Sequence, residues 1–409
     1  MAKWWMRLAL CAIGLGFPAM AQAQFPFGPG GGGHPGPEPL PVACEPLPLS
    51  TPVPTPGPAD LPALTTQNLC IGGNQASAFG DDEHYPSGAL ENFGDGPGCY
   101  FGIGTRALQR GGFGHRPLAV LDPQNLDTGN PPVQGANPVV LDQHDLSTAM
   151  AWGAQATLGW RFCENLAVEA TGFYLPTEVK SHTIARPGRL DMPFVNPPLG
   201  FEGDNGLWLQ ADRVTLLSQS TMASAELNLR CQPLSGYGLE WLFGVRYFDV
   251  HESYSIFTDD DGLTVIPVDP TRQAIYTVTT RNRICAIQMG VDWEVPLTCW
   301  LAWDAYAKVA GGVDFVDVDV GLVRGDGFGG PFGHRNTTRS AYIGEVGMFL
   351  DWYLADRVRL RTGWTAIWVV NVAVASDQID YDLSHTVGHQ NNNGNLFYQG
   401  PVVEVHFSF

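Results

Sequence analysis

The chain of 409 residues carries 22 Lys and Arg against 41 Asp and Glu, a formal net charge of −19. That balance excludes a nucleic-acid-binding surface, because phosphates are met by Lys and Arg. With 15% charged residues, 11% aromatics and 49 glycines, the composition suits a membrane barrel and a secreted β-sandwich equally.

In chain order, residues 1–23 read as a secretory signal peptide. Lys3 and Arg7 flank the start of an apolar run from Leu8 to Met20, and Ala21-Gln22-Ala23 offers a small-x-small cleavage site. The run is too short for a spanning helix, and the cut site follows it directly. Cys11 does not mark a lipoprotein, since bulky Leu10 stands where a small residue is needed. Loss of Lys3 and Arg7 takes the net charge from −19 to −21.

Residues 24–97 form a leader. From Phe25 to about Leu64 it is dominated by Pro and Gly, including Gly30 to Gly33 and the run Pro52 to Pro58. Such a segment buries too little apolar surface to fold, so a mostly disordered periplasmic spacer is expected. Residues 65–97 are an irregular Gly- and acid-rich lead-in. No later stretch approaches the roughly 20 apolar residues of a spanning helix, so a membrane-embedded form must be a closed barrel.

From residue 98 onward the pattern is repeated alternation. Ten segments, near 99–108, 148–162, 166–175, 218–231, 239–256, 273–295, 299–310, 340–353, 358–374 and 396–409, keep their apolar set on one parity. Trp152, Ala154, Ala156, Leu158, Trp160 and Phe162 oppose Gln155, Thr157 and Arg161; Trp241, Phe243, Val245 and Tyr247 oppose Glu240, Gly244 and Arg246. A strand's side chains alternate with a period of two, so each segment has one greasy and one polar face. A sandwich alternates too. The connections discriminate: short links near 163–165, 232–238, 296–298 and 354–357 alternate with long ones near 109–147, 176–217, 257–272, 311–339 and 375–395. Tight periplasmic turns and long external loops give that rhythm in outer-membrane barrels.

Tryptophans add a third line. Trp160, Trp241, Trp293, Trp303 and Trp352 lie near the short turns on the apolar parity, as an aromatic girdle requires. Trp152 and Trp368 lie farther along their strands, toward an opposite girdle. The expected fold is therefore all-β: an antiparallel transmembrane barrel of about 10 strands (10–12), spanning 98–409. The last strand, Gly400 to Phe409, alternates Val403, Val405, Phe407 and Phe409 against Glu404, His406 and Ser408, and its terminal aromatic resembles the signal read by the barrel-assembly machinery.

Several stretches resemble the bacterial beta-barrel porin-7 family: Leu242-Phe243-Gly244-Val245-Arg246-Tyr247-Phe248, Thr280-Arg281-Asn282 through Gln288-Met289-Gly290, Arg361-Thr362-Gly363-Trp364 through Ala375-Ser376-Asp377-Gln378, and the Gly400 to Phe409 end. The resemblance covers about 99–409 and implies an outer-membrane barrel with a pore role; it carries no catalytic or binding signature.

With the apolar parity facing lipid, the other parity lines a lumen. Its residues would be Arg106, Arg161, Glu169, Glu226, Arg230, Glu240, Arg246, Asp292, Asp304, Lys308, Glu345, Asp351, Arg359, Arg361, Glu404 and His406, with Glu294 beside them. The charges are nearly balanced, and buried charges need partners, for example Asp351 with Arg359 or Arg361. Ten strands so lined leave a narrow passage at most. The surplus acid falls in the presumed external loops at Asp259-Asp260-Asp261, Asp314, Asp317, Asp319, Asp377, Asp380 and Asp382. Solvated loops explain it; calcium bridging is the functional counterpart.

No metal or other cofactor is expected. Phe-Gly-His-Arg recurs at 113–116 and 332–335, bringing His115 and His334 to one side, yet Gly-rich loops reuse such tetrads freely. Gly102-Ile103-Gly104 lacks the third glycine of a dinucleotide loop. Ser384, His385, His389 and Asn391 share a loop, but no strand sets them at hydrogen-bond spacing, so no catalysis is expected. Seven cysteines remain in the mature chain; Cys163 stands in reach of Cys99 or Cys231, and Cys44 of Cys70. The expected partners are outer-membrane lipid, the barrel-assembly machinery and periplasmic contacts through the leader. Two functions follow: a narrow pore for small solutes or ions in the bacterial outer membrane, or a structural, anchoring or surface-interaction barrel with a closed, salt-bridged lumen.

Overall fold

The computed structural model describes residues 98–121, 138–146, 150–163, 166–201, 207–231, 239–260, 269–383 and 393–409. The signal peptide, the leader, Cys44, Cys70, Asp261 and the Ser384 to Asn391 loop lie outside them.

Among the described residues, twelve strands form one antiparallel sheet: β1 Gly98–Arg110, β2 Pro117–Leu121, β3 Val139–Asp142, β4 Met150–Cys163, β5 Leu166–Asp191, β6 Ala211–Cys231, β7 Leu239–Asp259, β8 Gln273–Thr298, β9 Leu301–Arg324, β10 Gly329–Ala355, β11 Val358–Val372 and β12 Gly394–Ser408. Ten correspond to the segments set out by alternation, with ends differing by up to two residues where the segments overrun them. β2 and β3 are additional; they pair with each other, and β2 pairs with β5 at Val120↔Asp191 and Leu121↔Leu190. Strand order is β3-β2-β5-β4-β1-β12-β11-β10-β9-β8-β7-β6, with β5 also bonded to β6.

The expected long loops need correction. Residues 176–191, 211–217 and 311–339 are largely strand, and β9 meets β10 through the short turn 325–328. β5, β8, β9 and β10 run for 26, 26, 24 and 27 residues, well beyond the 9–11 or so that a tilted strand needs to cross a bilayer. Hydroxyl pairs hold these extensions together: Thr177 with Thr221 at 2.8 Å, Thr183 with Thr215 at 2.9 Å and Ser255 with Thr277 at 3.0 Å. β-branched threonines favour the pleat, and such pairs support it from strand to strand. Asp314, Asp317 and Asp319 lie within β9, not in a loop: Asp314 is buried on Arg339 (3.4 Å), Asp317 pairs with Arg283, and Asp319 meets His334 at 2.6 Å.

The long connection after β11 also departs from the expected external loop. Asn371, with a φ of 66°, marks a bulge one residue before the end of β11, and Ala373 to Leu383 then packs against the buried face of the sheet. Asn282 brackets it, donating to Ala373 O (2.8 Å) and accepting from Ala373 N–H (2.9 Å). Gln143 donates to Ser376 O (2.8 Å), and Val195 bonds the backbone of Tyr381 and Leu383.

Cys99 and Cys231 are free thiols, so neither pairs with Cys163, and Cys299 is disulfide-bonded. In the register Cys99 stands opposite Trp160, three residues short of Cys163.

Candidate functional site: an ion-paired interior face

Burial in this sheet is inverted with respect to a soluble protein. Trp152, Leu158, Met348 and Leu354 are 60–64% exposed, whereas Arg246 is 2% and Asp351 0% exposed. Of the five tryptophans beside the short turns, Trp160, Trp241 and Trp293 are exposed. Trp303 and Trp352 are half-buried against other tryptophans, Trp293 and Trp300, at ring distances of 5.9 and 5.6 Å.

The charged side chains of the polar parity are brought together on the buried face. In one group, Arg246 meets Glu345 at 2.7 Å and Glu226 at 3.5 Å; Arg106 meets Glu345 at 3.3 Å; and Lys308 meets Glu226 at 3.0 Å. Arg106 also donates to Gln155 (2.7 Å), which donates to Glu404 (2.5 Å), and His406 lies 3.4 Å from Glu404. Three cations and three carboxylates balance there before His406 is counted.

A second group lies nearer the short turns. Arg230 contacts Glu169 at 3.2 Å, Glu240 at 2.7 Å and Asp292 at 2.5 Å, while Arg161 reaches Glu240 at 3.9 Å. Arg361 bridges Asp304 and Asp351, each at 2.8 Å, and Arg359 bridges Asp351 at 3.2 Å and Glu294 at 3.4 Å. Every one of the sixteen residues assigned to the polar parity thus takes part in an ion pair or hydrogen bond with another of them or with Glu294. The sequence pairing of Asp351 with either arginine proves to be a pairing with both. Register accounts for it: Asp351 stands directly opposite Arg361 and diagonal to Arg359 on β11.

Neutral partners were not singled out from the sequence. Tyr100 donates to Glu169 (2.7 Å), Tyr306 to Glu345 (2.7 Å) and Tyr353 to Glu294 (2.5 Å), and Gln288 donates to Glu226 (2.9 Å) and to Asn228. Tyr100 lies over Gly159, its partner across β4, where a Cβ would collide with the phenol ring. Only glycine lets the ring lie flat there and reach Glu169. Among the described residues, Glu294, Asp304 and Asp351 form a carboxylate group compact enough for a cation. Arg359 and Arg361 already sit between those carboxylates, and the donor set is that of an ion-pair network.

Farther along the strands the same inward parity becomes apolar. Phe173, Leu175, Met222, Phe248, Val250, Ile284, Ile343, Ile367 and Leu396 form one buried cluster. Beyond it, Phe194, Phe201, Leu207, Trp208, Tyr254, Ile256 and Tyr276 form another with Ala375, Ile379 and Leu383. The signal for this was present in Ala366-Ile367-Trp368-Val369-Val370, where both parities are apolar.

The two Phe-Gly-His-Arg copies serve different partners. His115 stacks on His144 at 4.6 Å and lies 3.6 Å from Asp142, whereas His334 bonds Asp319 and Asn336.

No family model matches the chain, so the porin-7 resemblance stands without one, and no curated protein matches it either. Among solved structures, the outer membrane protease OmpT from Escherichia coli aligns over 78% of this chain and 98% of its own, at 9% identity and a TM-score of 0.35. The translocator domain of the autotransporter NalP from Neisseria meningitidis aligns over 78% and 92%, at 13% identity and a TM-score of 0.33. The Pseudomonas putida toluene transporter TodX aligns over 84% and 97%, at 9% identity and a TM-score of 0.28. Likenesses this loose bear on neither activity nor substrate.

Proposed function

We propose that this chain is a closed β-barrel of the bacterial outer membrane whose interior is filled, serving as a structural or surface-interaction barrel and not as a diffusion pore or an enzyme. Closure is supported by the register. Opposite residues lead from Gly98 through Arg161, Ala167, Arg230, Leu242, Gly290, Lys308, Glu345, Ile367 and Tyr398 back to β1 at Arg110, an offset of 12 residues over ten strands. That stagger corresponds to a strand tilt of about 40°, within the range of barrels. A membrane address is supported by the exposed apolar face with its tryptophans, which in water would be a large aggregating patch. Phe409, exposed at the end of the closing strand, fits recognition by the assembly machinery.

The observation that carries the closed interior is the order of its layers. An ion-paired layer is followed by an apolar one, and that by the Ala373 to Leu383 segment held on Asn282. An ion crossing the apolar layer would shed water against hydrocarbon, at a cost that opposes conduction. Purified protein in planar bilayers is expected to stay silent; large, stable, nanosiemens-scale openings would overturn the reading.

A further inference from the structure

The ion-paired group nearer the short turns does not balance. Arg161, Arg230, Arg359 and Arg361 face Glu169, Glu240, Asp292, Glu294, Asp304 and Asp351, four cations against six carboxylates. The neighbouring group has no cation to spare, because Arg106, Arg246 and Lys308 are matched by three carboxylates of their own. Glu240 and Glu294 keep 20% and 28% of their side chains exposed, where solvent screens them. Asp292 and Asp304 are 6% and 2% exposed, and a surplus charge there has no such relief.

The surplus falls on that pair. Asp351 holds Arg361 through both Nε (2.9 Å) and Nη2 (2.8 Å), with Arg359 at 3.2 Å. Asp304 receives only the Nη2 that Arg361 already gives to Asp351. Asp292 has Arg230 at 2.5 Å, a guanidinium divided with Glu169 and Glu240. Register sets Asp292 and Asp304 diagonally on one face, Asp292 opposite Tyr306 and Asp304 opposite Glu294. The two carboxyl groups are in hydrogen-bond contact with each other. Each also keeps one buried oxygen, Oδ1, that accepts from no donor among the described residues. Their remaining neighbours do not supply one: Glu240 and Glu294 are acceptors, and Tyr306 gives its hydroxyl to Glu345 (2.7 Å). Two carboxylates cannot bond one another, whereas an acid and a carboxylate can, through the O–H of the acid.

We infer that Asp292 and Asp304 share one proton, held in an O–H···O bond between their Oδ1 atoms, as a latch between β8 and β9 on the buried face. It needs only the β8–β9 pairing and the arginines on the two aspartates, so it stands whether or not the interior proves closed. Loss of the proton sets two buried carboxylates against each other, so the latch weakens in alkali.

The test is infrared spectroscopy of the full chain in lipid vesicles at neutral pH, with and without isotope-labelled aspartate. A protonated-carboxyl C=O band that moves with the label is expected. It should vanish in both Asp292→Asn and Asp304→Asn, because either amide donates to the carboxylate that remains. Linkage gives a second measurement. The folded pair holds a proton that the unfolded chain has released above about pH 5, so stability falls as pH rises. From about pH 5 to 7 the unfolding constant of the native chain should rise about tenfold per pH unit relative to Asp304→Asn, in urea titrations followed by tryptophan fluorescence. Should the variants misfold, as read by heat-modifiable gel mobility, the labelled band of the native chain still decides. No labelled band, a band that survives in either folded variant, or parallel pH dependence of native chain and variant would overturn the shared proton. A band that appears only after calcium is chelated would overturn it in favour of a divalent cation between the carboxylates.

Discussion

Arg361 shows how much one side chain holds in the interior. Its guanidinium binds Asp351 through Nε (2.9 Å) and Nη2 (2.8 Å) and Asp304 through Nη2 (2.8 Å). Both carboxylates are essentially inaccessible to solvent. Removing one member of such a pair strands the remaining charges, at a cost of about 3–5 kcal/mol, far more than the pair contributes relative to an apolar replacement. Arg361→Leu should therefore destabilise the protein by that amount in urea titrations followed by tryptophan fluorescence in vesicles, and Asp351→Leu in the same chain should restore part of the loss. Arg281 supplies the contrast. It makes a bidentate pair with Asp249 but is 48% exposed, so Arg281→Ala should cost about 0–1 kcal/mol. Equal losses for the two arginines would show that burial does not govern the network.

At the scale of elements, the hairpin of β9 and β10, 24 and 27 residues long, is locked locally at its tip. Asp326 accepts from Arg324 Nε (3.0 Å), Arg324 Nη2 (2.8 Å) and the Phe328 N–H (3.1 Å). The Arg324 bonds, helped by Phe328 N–H, hold its carboxyl down at about 2. A depressed carboxylate contributes stability above its unfolded pKa of roughly 4, and that contribution is lost as pH falls through the folded value. NMR titration of the Asp326 carboxyl carbon should give a midpoint near 2, and Arg324→Gln should return it toward about 4. A native midpoint already near 4 would refute the lock. This hairpin also marks what was legible in the sequence. Strand centres such as Trp152 to Phe162 stood out because lipid on one side and protein on the other force a strict contrast between parities. Past the apolar belt that contrast ends: Asp317, Asp319 and Thr338 are polar residues on a strand face turned to water, and in sequence they read as loop. β2 and β3 were too short to show a period, with five and four residues. Parity alone assigned residues to the polar face, and of their pairings only Asp351 with Arg359 or Arg361 was read from it. The apolar inner layer was not, because Phe173, Phe248 and Ile367 share their parity with charged neighbours and alternation says which face, not which depth.

For the whole molecule, the proposed filled barrel makes the interior two barriers in series, and flux through a series path is set by the greater resistance. In that reading the ion-paired layer comprises the Arg230 and Arg361 group nearer the short turns and, next to it, Arg246, Glu345, Glu226 and Lys308. The apolar layer and the Ala373 to Leu383 segment fill the rest, with Asn282 on Ala373 and Glu252 accepting from Ala375 N–H at 3.3 Å. Removing Arg246 and Glu345 together as alanines leaves space but keeps the hydrocarbon layer, where water is expelled and ions do not enter. That variant should remain silent in planar bilayers. Asn282→Ala with Glu252→Ala loosens the segment but keeps the salt-bridged layer, and should give brief, small openings at most. The four changes combined should conduct more than either pair alone, because both barriers are then weakened. Sustained opening from the Arg246 and Glu345 pair alone would place the entire barrier in the ion pairs. The apolar layer would then be a lining and not a seal, and the filled-barrel reading would fail with it.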